Sequence, residues 1–161
     1  MKQTAQDILA SLNELSDTLN YENDAIAMIL AAGHGKRIKS ETPKMIHKIW
    51  GVPTVLRVAN AARDGLGTKN QILIVGIKAQ EVARACGHTP NRVFAYQAEQ
   101  QGTGHAVRIG LDTADVQDFN GTVYIFPGDV GLLNRQVVSD FREAFLNNPC
   151  EMMVLTSIFH G

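Results

Sequence analysis

Ala25-Ile26-Ala27-Met28-Ile29-Leu30-Ala31-Ala32-Gly33-His34-Gly35-Lys36-Arg37 is the stretch on which the fold turns. Its apolar part, Ala25 to Ala32, is too short for most helices and runs into glycines, the pattern of a strand buried on both faces. On its N-terminal side Ile8, Leu12, Leu15 and Leu19 recur at spacings of four, three and four. That spacing predicts one face of an amphipathic helix, ended by Asn23 or Asp24. On its C-terminal side helices and strands alternate. Pro53 opens a helix to about Gly65, with proline in a favourable first-turn place. Strands are predicted over 71–76, 92–97, 121–127 and 151–158, and helices over 78–86, 103–111 and 134–147, with Thr103 as the cap of the middle helix. About five such alternations predict an α/β fold with a largely parallel sheet covered by helices on both sides. Ligands of such sheets bind beyond the carboxyl ends of the strands.

Composition narrows the function. The chain has 161 residues, 45% hydrophobic and 19% charged, values of a globular protein and not of a disordered one. Its 15 basic and 16 acidic residues leave a net charge of −1, without the basic excess of a nucleic-acid binder. No apolar run approaches the roughly 18 residues that cross a bilayer. The first residues mix charge and polarity, unlike a secretory signal. Cys86 and Cys150 alone make neither a disulfide framework nor a zinc cluster, so the expected compartment is the cytoplasm.

The loop after the first strand suits a phosphate. Glycines let the backbone approach a ligand, and successive N–H groups can cradle anionic oxygens. Arg37 adds a planar cationic fork, and Lys44, after Pro43, a second positive charge. Two better-known phosphate loops do not fit. The dinucleotide fingerprint needs a glycine where Ile38 stands. The ATPase loop needs a glycine at Leu30 and a Ser or Thr at Arg37. The plain alternative is a strand-to-loop turn with solvated basic residues.

Three ordered segments resemble the sugar-1-phosphate nucleotidylyltransferases. They are LAAGHGKRIKSETPKMIHKIWGVP (30–53), QAEQQGTGHAV (97–107) and FPGDV (126–130). The middle string is most similar to the branch that transfers uridylyl to N-acetylglucosamine 1-phosphate. The resemblance implies a three-layer α/β/α, Rossmann-like nucleotidyltransferase (glycosyltransferase-A-like) fold with a mainly parallel sheet. It implies UTP and a sugar 1-phosphate as substrates and Mg²⁺ as cofactor. By that resemblance Arg37 and Lys44 are the catalytic cations on the phosphates. Leu30, Ala31, Ala32, Gly33 and Gly35 let the nucleotide sit close. Gln97 reads the uracil edge, Gly102 makes room for the base, Thr103 faces the nucleotide and Asp129 binds the metal. His105 is expected to orient its surroundings and not to react.

The chain departs from that family in four places. Lys36 stands where a threonine is usual, Pro127 where a tyrosine-like residue is usual, and Gly131 where a proline is usual. The family's domain also continues beyond the last strand, so the expected organisation is a helical extension, 1–22, and the nucleotide-binding part of a longer domain, 23–161. A homo-oligomer is left open, as are two rival readings. One is a related enzyme for another base, such as a cytidylyl- or molybdopterin-type transferase. The other is a nucleotide-binding module without chemistry.

Overall fold

The computed structural model describes residues 4–33, 42–156 and 158. The loop residues His34 to Glu41, and with them Gly35, Lys36 and Arg37, lie outside the described residues. Four strands form one parallel sheet: β1 (Ala25–Ala31), β4 (Gln71–Val75), β5 (Arg92–Tyr96) and β6 (Thr122–Pro127), in the order β5-β4-β1-β6. A small antiparallel ribbon, β2 (Lys48–Ile49) and β3 (Val52–Pro53), follows a 3-10 turn at Lys44–Ile46. The helices are α1 (Ala5–Leu15), α2 (Thr54–Leu66), α3 (Ala79–Cys86), α4 (Thr103–Ala114) and α5 (Arg135–Asn147).

The periodicity of β1 explains the layers. Ala25, Ala27, Ile29 and Ala31 point to one face, where they pack with Leu12, α2, α3 and Val138. Ile26, Met28 and Ala32 point to the other, under Ala106 and Ala114 of α4. Both faces being covered, β1 and, from Ile72 onward, β4 read as unbroken apolar runs, as parallel strands do. From β1 the chain steps outward through β4 to β5, then returns to place β6 on the other side of β1. That reversal is a topological switch point, and it lies at the carboxyl end of β1.

Each end of the sheet is finished differently. Ser16 caps α1 by donating from Oγ to the Leu12 carbonyl at 2.8 Å and accepts from the Phe94 N–H at 3.0 Å. Asp17 N–H donates to the Arg92 carbonyl at 2.7 Å. These bonds cover the outer edge of β5, which would otherwise present unpaired backbone groups. The β6 edge has no such cover among the described residues, and Ile125 there is exposed. Proline is tolerated on such an edge, which accounts for Pro127 at the strand's end.

Three expectations are corrected. The helix carrying Ile8, Leu12 and Leu15 stops at Leu15, so Leu19 packs from the following segment and not from the same helical face. The cap of α4 is Gly102 (φ 96°), and Thr103 is its first helical residue and makes no capping bond with its side chain. No strand forms over the described residues of 151–158; Met152, Val154, Leu155 and Ile158 are exposed. An apolar run forms a strand only where a neighbouring strand and a packed face are present, and neither lies against these exposed residues among the described ones.

Candidate functional site

The site assembles at the carboxyl ends of β1, β5 and β6. β1 delivers Leu30, Ala31, Ala32 and Gly33. The side chains of Ala31 and Ala32 are buried, so what they offer to a ligand is backbone. Gly128 follows β6 and sits against β1, its N–H donating to the Leu30 carbonyl at 2.9 Å. A Cβ there would lie 2.7 Å from the Leu30 oxygen, so only glycine allows this approach. The buried Met45 wedges beneath both strand ends, with its Cε at 3.7 Å from the place a Gly33 Cβ would take.

This packing brings together two residues 85 positions apart. Lys44 Nζ donates to Asp129 Oδ2 at 2.6 Å, and both side chains are more than a third exposed. Lys44 starts the 3-10 turn, which is joined to α2 through His47: its carbonyl accepts from Thr54 N–H at 2.9 Å and from Thr54 Oγ1 at 2.8 Å. Asp129 rides on the turn after β6, where Leu133 N–H donates to the Val130 carbonyl at 2.8 Å. Gly131 is buried against the ribbon, and a Cβ there would come within 2.6 Å of Ile49 Cδ1 and 2.9 Å of Thr54 Cγ2. Its carbonyl accepts from Arg57 Nε at 2.7 Å.

Gln97 leaves β5 on the far side of β4 and is held tightly. Its backbone N–H donates to the Val75 carbonyl at 2.8 Å. Its side chain is only 4% exposed, and Nε2 reaches the Gly102 carbonyl at 3.3 Å and His105 Nδ1 at 3.1 Å. Donation from the amide makes Nδ1 the acceptor, so the His105 proton sits on Nε2. Gln100 Nε2 donates to the Ala32 carbonyl, bridging this loop to β1. Gly102 and Thr103 are exposed beside it. Nothing local in the sequence marks Gln100, because its bond reaches 68 residues back along the chain. Arg57 was not singled out at all, since its partner is 74 residues away.

Among the described residues no three His, Cys, Asp or Glu side chains cluster. Asp129 therefore offers a single hard carboxylate. That fits Mg²⁺, which keeps waters and takes phosphate oxygens beside one or two carboxylates, and does not fit an all-protein cage.

The MobA-like NTP transferase domain matches residues 27–159. The chain belongs to this family. The chain is 44% identical over 122 residues to a bifunctional protein GlmU of Mycolicibacterium vanbaalenii, covering 73% of this chain and 24% of that one. It is 39% identical over 129 residues to the GlmU of a Picosynechococcus species, covering 80% and 28%. It thus spans about a quarter of the length of these relatives. In fold it is similar to the crystal structure of Rv0371c from Mycobacterium tuberculosis H37Rv, with a TM-score of 0.59 at 20% identity over 80% of this chain and 62% of that one. The family and the α/β/α architecture stand as the sequence implied. No helix among the described residues is long and apolar enough to cross a membrane.

Proposed function

We propose that residues 23–161 are the nucleotide-binding part of a sugar-1-phosphate nucleotidyltransferase. The preferred reaction transfers uridylyl from UTP to N-acetylglucosamine 1-phosphate or a related sugar 1-phosphate. An oxygen of the sugar phosphate forms a bond to the α-phosphorus, the bond from that phosphorus to the bridging oxygen breaks, and pyrophosphate leaves with the electron pair. The nucleophile is already an anion, so no side-chain base is required. Positioning and charge stabilisation supply the rate.

The observation that carries this reading is the Lys44–Asp129 pair at the switch point. Without ligand the two charges neutralise each other. With UTP, Lys44 would face the phosphates and Asp129 would hold Mg²⁺, so each would exchange one opposite charge for another. Arg37 would join Lys44 on the phosphates, and the backbone of Leu30 to Gly33 and Gly35 would line the nucleotide. Mg²⁺, when bound, supplies charge neutralisation on the phosphates. Gln97, its NH2 fixed by His105 and Gly102, would present its amide oxygen to the base, with Gly102 and Thr103 beside it.

Isothermal titration with UTP, CTP, GTP and dTTP, each with and without Mg²⁺, tests the reading. UTP is expected to bind best and Mg²⁺ to strengthen it. Lys44→Met removes a charged hydrogen bond of about 1.5–3 kcal/mol, so UTP affinity falls roughly 10- to 150-fold. The same change costs under about 1 kcal/mol of stability, because the pair is exposed. Asp129→Asn abolishes the Mg²⁺ effect. Preference for another base would overturn the role of Gln97, and unchanged Mg²⁺ dependence in Asp129→Asn would overturn the metal role.

A further inference from the structure

We infer that Arg57 is a positioning residue for Asp129, locked in place by the tryptophan stacked on it. This rests on the reading of Asp129 as the metal-binding carboxylate.

Asp129 itself is exposed, so the direction of its carboxylate depends on how its turn is anchored. One anchor lies before it, the Gly128 N–H on the Leu30 carbonyl at 2.9 Å. The other lies after it, the Gly131 carbonyl on Arg57 Nε at 2.7 Å. Arg57 belongs to α2, whose first residue, Thr54, holds the His47 carbonyl beside the Lys44 turn. One guanidinium thus ties the turn bearing Asp129 to the unit bearing Lys44. The absence of a side chain at Gly131 lets the turn come within reach of it.

Trp50 explains why the guanidinium points this way. It occupies the turn of the β2–β3 ribbon, with its ring centroid 4.8 Å from Arg57 Cζ. A cation over an indole is attracted by about 0.5–1 kcal/mol at an exposed site. Trp50 is 80% exposed and has φ of 50°, a left-handed conformation that disfavours bulky residues. Asparagine or glycine is the preferred residue there. A tryptophan held in that conformation, with most of its surface in water, gains little as a core residue. Its packing against Arg57 gives it a use.

The first test needs no ligand. Backbone ¹⁵N relaxation of the whole chain is compared with Arg57→Ala and Trp50→Ala. In Arg57→Ala the amides of Gly128 to Gly131 are expected to gain motion, while those of Gln71–Val75 do not change. Trp50→Ala, at an exposed turn, keeps the fold and is expected to give a smaller change at the same amides. The second test is Mn²⁺ binding with UTP, followed by electron paramagnetic resonance. Loss of a residue that orients a metal ligand weakens the metal about 10- to 100-fold, and Arg57→Ala is expected to fall in that range. Arg57→Lys can still donate to Gly131 but lacks the planar guanidinium placed over the indole, so it recovers part of the loss. Unchanged relaxation at Gly128 to Gly131 in both alanine variants overturns the inference. If Arg57→Ala does not fold, unchanged relaxation in Trp50→Ala alone overturns it. If the turn loosens as expected but the unsubstituted chain binds no Mn²⁺ with UTP, the reading of Asp129 fails and the clamp stands.

Discussion

Arg92 is the first residue of β5 and is 2% exposed, yet no carboxylate pairs with it among the described residues. Its Nε and Nη2 donate to Gln71 Oε1 at 3.0 and 2.8 Å, and Nη1 donates to the Cys86 carbonyl at 3.1 Å. Gln71, also buried, donates from Nε2 to the Ala59 carbonyl at 2.6 Å. Desolvation is the main cause that lowers the Arg92 pKa, and the proximity of Arg63 adds to it. The charge is therefore tolerated through neutral acceptors, above all one amide oxygen. Gln71→Met removes that acceptor and leaves the charge buried, which costs about 3–5 kcal/mol. Arg92→Met removes the charge but strands two acceptors, at about 1–3 kcal/mol each. The double substitution removes both the charge and its main acceptor, leaving only the Ala59 and Cys86 carbonyls short of a partner. It should therefore cost less than Gln71→Met plus Arg92→Met, by about 2 kcal/mol or more. Urea unfolding followed by circular dichroism, on all four proteins, measures the coupling. Additivity within about 0.5 kcal/mol, the behaviour of independent sites, would refute the reasoning.

Three further predictions concern the core and the two thiols. Leu12 is the one residue of α1 that is fully buried, so Leu12→Ala should lower the unfolding free energy by about 2–5 kcal/mol. A loss well under 1 kcal/mol would mean that α1 does not belong to the folded core. Burial pushes the Cys86 thiol up to about 11. The folded protein then holds a proton that the unfolded chain releases, so stability is complete below about pH 9 and falls by about 2 kcal/mol as pH rises toward 11. Denaturation midpoints across that range, compared with Cys86→Ala, check the sign. At neutral pH the exposed Cys150 should react rapidly with a thiol reagent, and Cys86 only on unfolding.

Most of the fold was legible because its signals are local. The runs at 25–32 and 71–76 are apolar and bounded by turn residues, and a strand buried on both faces leaves that mark whatever surrounds it. The segment 151–158 carries a similar mark, but a strand also needs a neighbour, which no window of sequence displays. The β2–β3 ribbon has two residues per strand, too few for any period to register. In the site, Lys44 and Asp129 were legible as residue types and segments, and their 2.6 Å contact was not. It depends on Gly128 and Gly131 fitting against residues far away in the chain. Gly131 had stood out only as a departure from the family's proline. Its surroundings show the space to be filled by Ile49 and Thr54, with the carbonyl taken by Arg57.

Trp50 is the only tryptophan of the chain. Its emission therefore comes from one place, against Arg57, whose single hydrogen bond to Gly131 reaches the turn of Asp129. Because the ring is already mostly in water, unfolding should shift its emission maximum little, and a denaturation curve drawn from it would understate the transition. If Arg57 positions the turn of Asp129 as proposed, nucleotide and metal binding there is expected to change the intensity of this emission, without any label. The protein thus carries an optical probe that is nearly blind to its stability and sits beside the turn proposed to hold the metal.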